Sequence, residues 1–164
     1  MEYLDSVNRK DEVLGKSPIT EIYEKGLIHR IVHVLIFDEQ GRMALQLRTP
    51  TKSFCPDTWS TAVGGHVQSG ESYEEGALRE YQEELGTTSK IELKAKDFYE
   101  DARTRKFLGT FTTVHTGPFH PNPEDVQEFR FFSFADIQGM IDAGERFHPE
   151  LLFLLEKYFG IRKP

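Results

Sequence analysis

The sequence predicts an α/β fold in which a central mixed sheet carries a helix on each face. Three observations lead to this prediction: apolar, β-branched runs recur between polar turns, a helix with a strongly acidic face lies among them, and an apolar helix closes the chain. A length of 164 residues suffices for one domain with a real core and is short for two. We expect a single domain over residues 1–164, with residues 1–26 as an N-terminal arm or edge strand.

The apolar runs predict the strands of the sheet. In chain order they lie at residues 27–37, 43–47, 59–63, 91–98, 107–115 and 128–134. The first run reads LIHRIVHVLIF and is nearly continuous, which is typical of a central strand covered on both faces. Before it, the breakers Pro18 and Gly26 predict a loop over residues 17–26.

Three helices are predicted. The first begins near Tyr73, because Ser72 and Glu75 have the spacing of a capping box, and it ends at Gly86, which has the position of a C′ glycine. The other two helices follow the last strand, at residues 134–143 and 149–159. The last of them has a proline at a first-turn position and is strongly apolar.

The first helix carries three carboxylates on one face, because Glu80, Glu83 and Glu84 fall together on a 3.6-residue period. Each like-charged pair at this spacing destabilises a helix by roughly 0.2–0.5 kcal/mol. Hard cations such as Mg²⁺ and Mn²⁺ prefer oxygen ligands, and the glycine-rich loop over residues 64–70 can bring a backbone carbonyl close. The spacing alone supports a metal site and a solvated acidic face about equally.

The stretch GHVQSGESYEEGALREYQEELG, which includes this helix, resembles the Nudix box. All seven positions that define the pattern match in residue type and spacing: Gly65, Glu71, Arg79, Glu80, Glu83, Glu84 and Gly86. Tyr81 and Thr87 stand where the pattern has aliphatic residues, and both are packing positions. The resemblance implies an α/β/α sandwich with a central mixed sheet. It also implies a metal-dependent hydrolase that cleaves a diphosphate joining a nucleoside, or another group, to a second moiety.

The resemblance also implies roles for the matching residues. The Gly65 carbonyl and the carboxylates of Glu80, Glu83 and Glu84 would bind Mg²⁺ or Mn²⁺. The expected catalytic residues are Glu80, Glu83 and Arg79, with Glu83 as one candidate for the general base of an in-line attack on phosphorus. Glu71 and Gly86 would support the site structurally. An acid from a later part of the chain could be the base instead, and the candidates are Glu124, Asp125 and Glu128.

Further matches resemble the isopentenyl-diphosphate isomerase-like branch of this superfamily. They are DEVLG at 11–15, GLIHR at 26–30, Gln46-Leu47-Arg48, Lys52, Pro56-Asp57-Thr58-Trp59 and Gly64-Gly65-His66. The resemblance implies that Arg48 and Lys52 hold the diphosphate. It further implies that His29 and His66 stand where isomerase histidines help to bind a metal, and we expect His66 to approach the substrate.

The catalytic cysteine of true isomerases is missing from this sequence. Its position is occupied by Gly64, and Cys55 lies nine residues upstream in another loop. Ile22 stands where another isomerase histidine is expected. Moving a proton to and from an allylic unit needs a reactive group where Gly64 offers none. We therefore expect a hydrolase, with an isopentenyl-diphosphate isomerase and a non-catalytic diphosphate-binding module as the alternatives.

Composition narrows the classes of partner. A formal net charge of −7 argues against binding to nucleic-acid polymers or anionic membranes. No apolar run approaches the roughly 18 residues of a membrane span, and the start of the sequence lacks the pattern of a signal peptide. The single cysteine rules out an internal disulfide and fits a cytoplasmic protein. The expected partner is a small-molecule diphosphate, and a homodimer is a further expectation because many relatives pair.

Overall fold

The computed structural model describes residues 1–164 and contains a two-stranded sheet, a seven-stranded sheet and four helices. In chain order the elements are β1 (Tyr3–Val7), β2 (Val13–Pro18), α1 (Ile19–Glu24), β3 (His29–Phe37), β4 (Met43–Arg48), β5 (Trp59–Thr61), β6 (Val63–His66), α2 (Tyr73–Leu85), β7 (Glu92–Glu100), β8 (Arg105–Val114), β9 (Val126–Phe132), α3 (Phe134–Asp142) and α4 (Pro149–Phe159). None of the helices combines the length and the apolarity that crossing a membrane requires.

The large sheet is mixed, as predicted. Its main path has the order β5-β4-β3-β8-β7, with β6 paired to β3 and β9 paired to β4. Only β3 and β8 run parallel, and the other pairs are antiparallel. β3 lies at the centre, and residues 31–36 within it are all buried. The prediction of a central strand covered on both faces is therefore confirmed.

Helices cover both faces of this sheet and form two separate cores. On one face α2 packs against alternate residues of β3, and the buried cluster includes Val32, Val34, Ile36, Ala77, Tyr81 and Leu85. On the other face α3 and α4 pack against β3 and β4, and that cluster includes Leu35, Met43, Leu45, Ile137, Ile141, Leu151 and Leu155. The sandwich follows from the period of two along the strands, which points successive side chains to opposite faces.

The ends of α2 are fixed by the predicted signals. The Ser72 hydroxyl accepts a hydrogen bond from the Glu75 amide, and the Glu75 carboxylate accepts one from the Ser72 amide, which completes the capping box. Gly86 ends the helix in the left-handed conformation, with φ of 66°. Tyr81 is fully buried where the Nudix pattern has an aliphatic residue, and its hydroxyl hydrogen bonds to Ser89 and His115.

Two local predictions were wrong. Residues 17–26 were predicted to form a loop, but α1 occupies most of this segment, because a helix of six residues is too short to show a periodic pattern and Pro18 suits the start of a helix. Residues 59–63 were predicted to form one strand, but they divide between β5 and β6, because the chain passes from pairing with β4 to pairing with β3. The N-terminal arm is a hairpin of β1 and β2.

Glu150, in the first turn of α4, ties this helix to the sheet through buried charges. Its carboxylate accepts hydrogen bonds from His33 Nε2 and Lys106 Nζ, each at 2.9 Å, and Glu150 and Lys106 are 4% and 2% exposed. Burial opposes ionisation of Glu150, but the hydrogen bond from His33 and the charge of Lys106 outweigh it and hold the Glu150 pKa well below its usual range.

Replacing Glu150 with glutamine should therefore destabilise the protein by about 3–5 kcal/mol at neutral pH, because Lys106 would lose its buried partner. The folded-state pKa of Glu150 lies below the unfolded value of 4.5, so its contribution is full above that pH and is lost as the pH falls further. The difference in free energy of unfolding between wild type and Glu150→Gln, measured by urea denaturation, should be constant above the unfolded pKa of 4.5 and shrink as the pH falls below it. Glu156→Gln, an exposed position on the same helix, is the control. A difference that does not change with pH would contradict the ion pair.

Candidate functional site

A polar cavity of about 720 Å³ brings together most of the residues predicted to form the site. From the predicted set, the residues that line it are Arg48, Lys52, Gly65, His66, Glu80, Glu83, Glu84 and Asp125. Of the 23 lining residues only four are hydrophobic. The cavity therefore offers a ligand many polar and charged side chains.

β6 carries Gly65 close to α2. A Cβ atom at Gly65 would lie 2.5 Å from Oε1 and 2.7 Å from Oε2 of Glu80, which is closer than non-bonded atoms approach. Only glycine at this position lets the Glu80 carboxylate lie against the backbone of the strand. The structure thus places a carboxylate beside the backbone segment whose carbonyl was predicted to be a metal ligand.

The three carboxylates of the acidic helix face lie in different environments. Glu84 is buried and accepts a hydrogen bond of 2.6 Å from Gln46 Nε2 on β4. Glu80 is mostly buried, whereas the side chain of Glu83 is 56% exposed. Burial raises the pKa of Glu80 and Glu84, and for Glu84 the neighbouring charge of Glu80 raises it further. Positive charge placed near these two groups would be strongly favoured.

Arg79 is the positive partner of this cluster. Its Nε and Nη2 donate to both oxygens of Glu71, at 2.7 and 3.0 Å, and Nη2 also donates to the His66 carbonyl at 2.9 Å. Its Nη1 donates to Glu80 at 3.0 Å and to Glu83 at 3.3 Å. The hydrogen bonds to Glu71 are the main cause that raises the Arg79 pKa, so its charge is permanent. Arg79 thereby joins the glycine-rich loop to the acidic face of α2.

The donors at this site are of the kind that Mg²⁺ and Mn²⁺ prefer, because they are carboxylate and carbonyl oxygens. In this arrangement, however, no group of three or more acidic, histidine or cysteine side chains converges to metal-binding geometry. Glu80 and Glu83 turn towards Arg79, and Glu84 turns towards Gln46. For all three carboxylates to bind one ion, their side chains would have to converge.

The two predicted phosphate-binding cations line the cavity but are engaged with loops. Arg48 donates through Nε and Nη2 to the carbonyls of Phe54 and Cys55. Lys52 forms an ion pair with Asp125. These contacts hold the loop between β4 and β5 next to the loop before β9. Each cation still faces the cavity.

Of the three acids considered as a distant general base, only Asp125 lines the cavity. Glu128 lies on β9, where its carboxylate is 44% exposed and pairs with Arg130 on the outer surface. Alternation along β9 points Glu128 away from the site, so the geometry does not support it as the general base. Glu124 is likewise absent from the cavity lining.

His66 follows Gly65 and faces the cavity, where its Nε2 hydrogen bonds to the Tyr23 hydroxyl at 2.8 Å. Tyr23 belongs to α1, the helix that the sequence pattern did not reveal. His29 packs edge-on against Tyr23 and at a tilt against His66; it is 1% exposed, and its Nε2 has no hydrogen-bond partner. Burial lowers the pKa of His66 to about 3 and that of His29 to about 4, so both are neutral at neutral pH.

Sequence reasoning missed several residues that shape the cavity: Tyr23, Gln46, Arg103, Thr104, Lys106 and Glu150. Lys106 and Glu150 carried no usable signal, since Arg105 adjoins Lys106 and the helix that holds Glu150 also carries Glu156 and Lys157. Gln46 stood within a matched motif but had no role assigned. Thr104 and Arg103 lie in a turn and carried no signal.

Comparison with known proteins agrees with this geometry. Residues 27–155 match the NUDIX domain family. An uncharacterised Nudix hydrolase of Pseudomonas aeruginosa, PA4841, is 34% identical over 131 residues, which cover 79% of this chain and 78% of that protein. An isopentenyl-diphosphate Delta-isomerase of Serratia proteamaculans is 31% identical over 151 residues, which cover 91% of this chain and 84% of that protein.

The crystal structure of DR0079 from Deinococcus radiodurans is also similar, with a TM-score of 0.83 and 29% sequence identity over 96% of this chain and 99% of that one. The family match spans most of the chain, and the relatives cover it at more than 30% identity. The chain therefore belongs to the Nudix superfamily, in its isopentenyl-diphosphate isomerase-like branch, and is a Nudix hydrolase, an enzyme that cleaves diphosphates.

Proposed function

We propose that this hydrolase depends on Mg²⁺ or Mn²⁺ and cleaves the diphosphate linkage of a nucleoside diphosphate joined to a second moiety, or of a related small molecule. The ligands are the carbonyl of Gly65 and the carboxylates of Glu80, Glu83 and Glu84. The observation that carries the proposal is the close approach of Glu80 to Gly65, beside the buried Glu84, in a polar cavity.

Each neighbouring residue has a definite part in this proposal. When bound, the ion neutralises phosphate charge and lowers the pKa of a water that it binds. Arg79 positions Glu80 and fixes the loop at His66. Glu83, the most exposed of the three carboxylates, can accept a proton from the attacking water, and Asp125 is the alternative acceptor across the cavity.

The alternative function is isomerisation, because one relative is named isopentenyl-diphosphate Delta-isomerase. A Cβ atom at Gly64 would lie 3.2 Å from His33 Nδ1 and 3.4 Å from Thr61 Oγ1, so a side chain there would press on a hydrogen-bonded pair. Cys55 does not line the cavity, and burial raises the pKa of its thiol. Neither position supplies the thiolate chemistry of an isomerase, which favours hydrolysis.

We also propose that the enzyme acts in the cytoplasm on small molecules and not on nucleic-acid polymers. The net charge of −7 supports this choice of substrate, because polyanions would be repelled. A homodimer stays a prediction, to be tested by sedimentation.

Gly65→Ala should weaken metal binding with little loss of stability. The added methyl group would displace the Glu80 carboxylate, which is the far end of a flexible side chain and can move at small cost. We expect the affinity for Mn²⁺, measured by isothermal titration calorimetry, to fall roughly 10- to 100-fold, with an unfolding midpoint close to that of wild type. Gly139→Ala, where an added Cβ meets nothing, is the control. Unchanged Mn²⁺ affinity would contradict the assignment of Glu80 and Gly65.

Glu83→Gln should reduce hydrolysis by at least about a hundredfold, because it removes both a metal ligand and a candidate base. The control is Glu74→Gln, which neutralises an exposed carboxylate on the same helix. The assay is product analysis with Mg²⁺ and with Mn²⁺ on nucleoside triphosphates, dinucleotides, sugar nucleotides, coenzyme A esters and prenyl diphosphates. Equal product release by wild type and Glu83→Gln would refute the metal site. Double-bond migration in isopentenyl diphosphate without phosphate release would favour the isomerase.

A further inference from the structure

We propose that Arg103, Thr104 and Lys106 form a second subsite of the cavity, which binds a phosphoryl group of the substrate beyond the diphosphate held by the acidic helix. This inference rests on the proposed function for the identity of the substrate. It concerns residues outside the Nudix box, on the turn between β7 and β8 and the start of β8.

The turn that presents these residues is rigidly built. The Asp101 carboxylate accepts hydrogen bonds from the backbone amides of Arg103 and Thr104, at 2.8 and 3.0 Å, and from the Tyr99 hydroxyl at 3.0 Å. The turn therefore holds Arg103 and Thr104 in the wall of the cavity, which both of them line. A fixed turn lowers the entropic cost of ordering these side chains around a ligand.

Thr104 provides the clearest sign of a missing partner. It is 7% exposed, it lines the cavity, and its hydroxyl is one of three buried side-chain groups in the protein without a hydrogen-bond partner. Burying an unpaired hydroxyl costs roughly 1–3 kcal/mol, so such groups are rare in native proteins and need an explanation. A ligand oxygen that came within hydrogen-bond distance of this hydroxyl would satisfy the donor.

The two cations beside Thr104 also have donors to spare. Lys106 Nζ has three hydrogens and one carboxylate partner, Glu150, at 2.9 Å. The guanidinium of Arg103 packs over the ring of Phe54, at 4.7 Å from its centroid, and forms no ion pair with a carboxylate. Lys52 likewise has a single carboxylate partner, Asp125. The wall formed by the β7–β8 turn and the start of β8 therefore carries spare hydrogen-bond donors on three neighbouring side chains.

This wall continues from the acidic site along a row of touching residues. Gly65 lies against Glu80, and the adjacent Gly64 faces His33 across the pairing of β3 and β6. His33 in turn hydrogen bonds to Glu150, which is paired with Lys106. In this proposal the diphosphate of the substrate lies near Glu80. The group attached beyond the diphosphate then passes Gly64 and reaches Lys106.

The three donors lie on separate side chains, and two of these side chains are cationic. They match the several oxygens of a phosphoryl group better than they match the two oxygens of a carboxylate. Lys106 is 2% exposed, so its attraction for an anion is stronger than it would be in water, whereas Arg103 is exposed and can turn towards a ligand. A prenyl chain at this end of the cavity would leave these donors without partners.

The test measures binding of inorganic phosphate by isothermal titration calorimetry, with a chelator present so that the acidic site holds no metal. We expect saturable binding at one site in wild type, weakened roughly tenfold by Arg103→Gln and roughly threefold to tenfold by Thr104→Val. Arg9→Gln is the matched control, because Arg9 packs over Phe98 at 5.0 Å outside the cavity and should leave binding unchanged. Lys106 is kept intact, since its removal would leave Glu150 unpaired. Acetate should bind more weakly than phosphate.

Thr104→Val also separates this subsite from a structural role. Replacing an unpaired buried hydroxyl with a methyl group should leave the unfolding midpoint equal or higher, so weaker phosphate binding in a stable variant supports the subsite. Absence of saturable phosphate binding in wild type, or binding that neither substitution weakens, would overturn it. Loss of hydrolysis in Glu83→Gln tests the proposed function independently, because the phosphate experiment requires neither metal nor turnover.

Discussion

The bidentate pair between Arg79 and Glu71 is the interaction on which the site depends. A single guanidinium joins the loop carbonyl of His66, the loop acid Glu71 and two helix carboxylates. An exposed ion pair stabilises a protein by less than about 1 kcal/mol, but this one is mostly buried and has two parallel hydrogen bonds, which fixes direction as well as distance. The pair sets where the loop glycines lie relative to α2, and therefore where Glu80 meets Gly65.

The cavity contains two groups of buried charge that are balanced in different ways. Around Glu150 the balance is internal, because Lys106 and His33 satisfy both oxygens and keep its pKa low. Around Glu84 the balance is incomplete, because burial and the nearby charge of Glu80 raise the pKa of Glu84 by more than the neutral hydrogen bond from Gln46 lowers it. An unbalanced negative group, such as that around Glu84, is suited to binding a cation. A balanced group, such as that around Glu150, is suited to holding a helix in place. The same fold provides both within one cavity.

Local signals in the sequence were enough for α2 and for most of the sheet. Ser72, Glu75 and Gly86 mark the helix ends through contacts between near neighbours, and β3 shows its burial in its own composition. The spacing of the box residues also predicted which side chains would meet, because Glu71 to Glu84 share one loop and one helix.

Pairings between distant segments had no such signal. Lys106 and Glu150 are 44 residues apart, and the residues around each of them do not indicate the other as its partner. Glu128 was chosen for its residue type, but strand alternation decides its direction and turns it outwards.

The same pairings explain why this member of an isomerase-like branch is suited to hydrolysis. An isomerase must add a proton to carbon and remove another, which needs two groups free to exchange protons beside the substrate. Here the central candidates are already engaged: both ring nitrogens of His33 are hydrogen bonded, to Thr61 and to Glu150, and His66 is neutral and bonded to Tyr23. Gly64 contributes no side chain at all. The partly exposed acids of the cavity are Glu83 and Asp125, each beside one cation, and hydrolysis needs no proton transfer to or from carbon, because water is the attacking group.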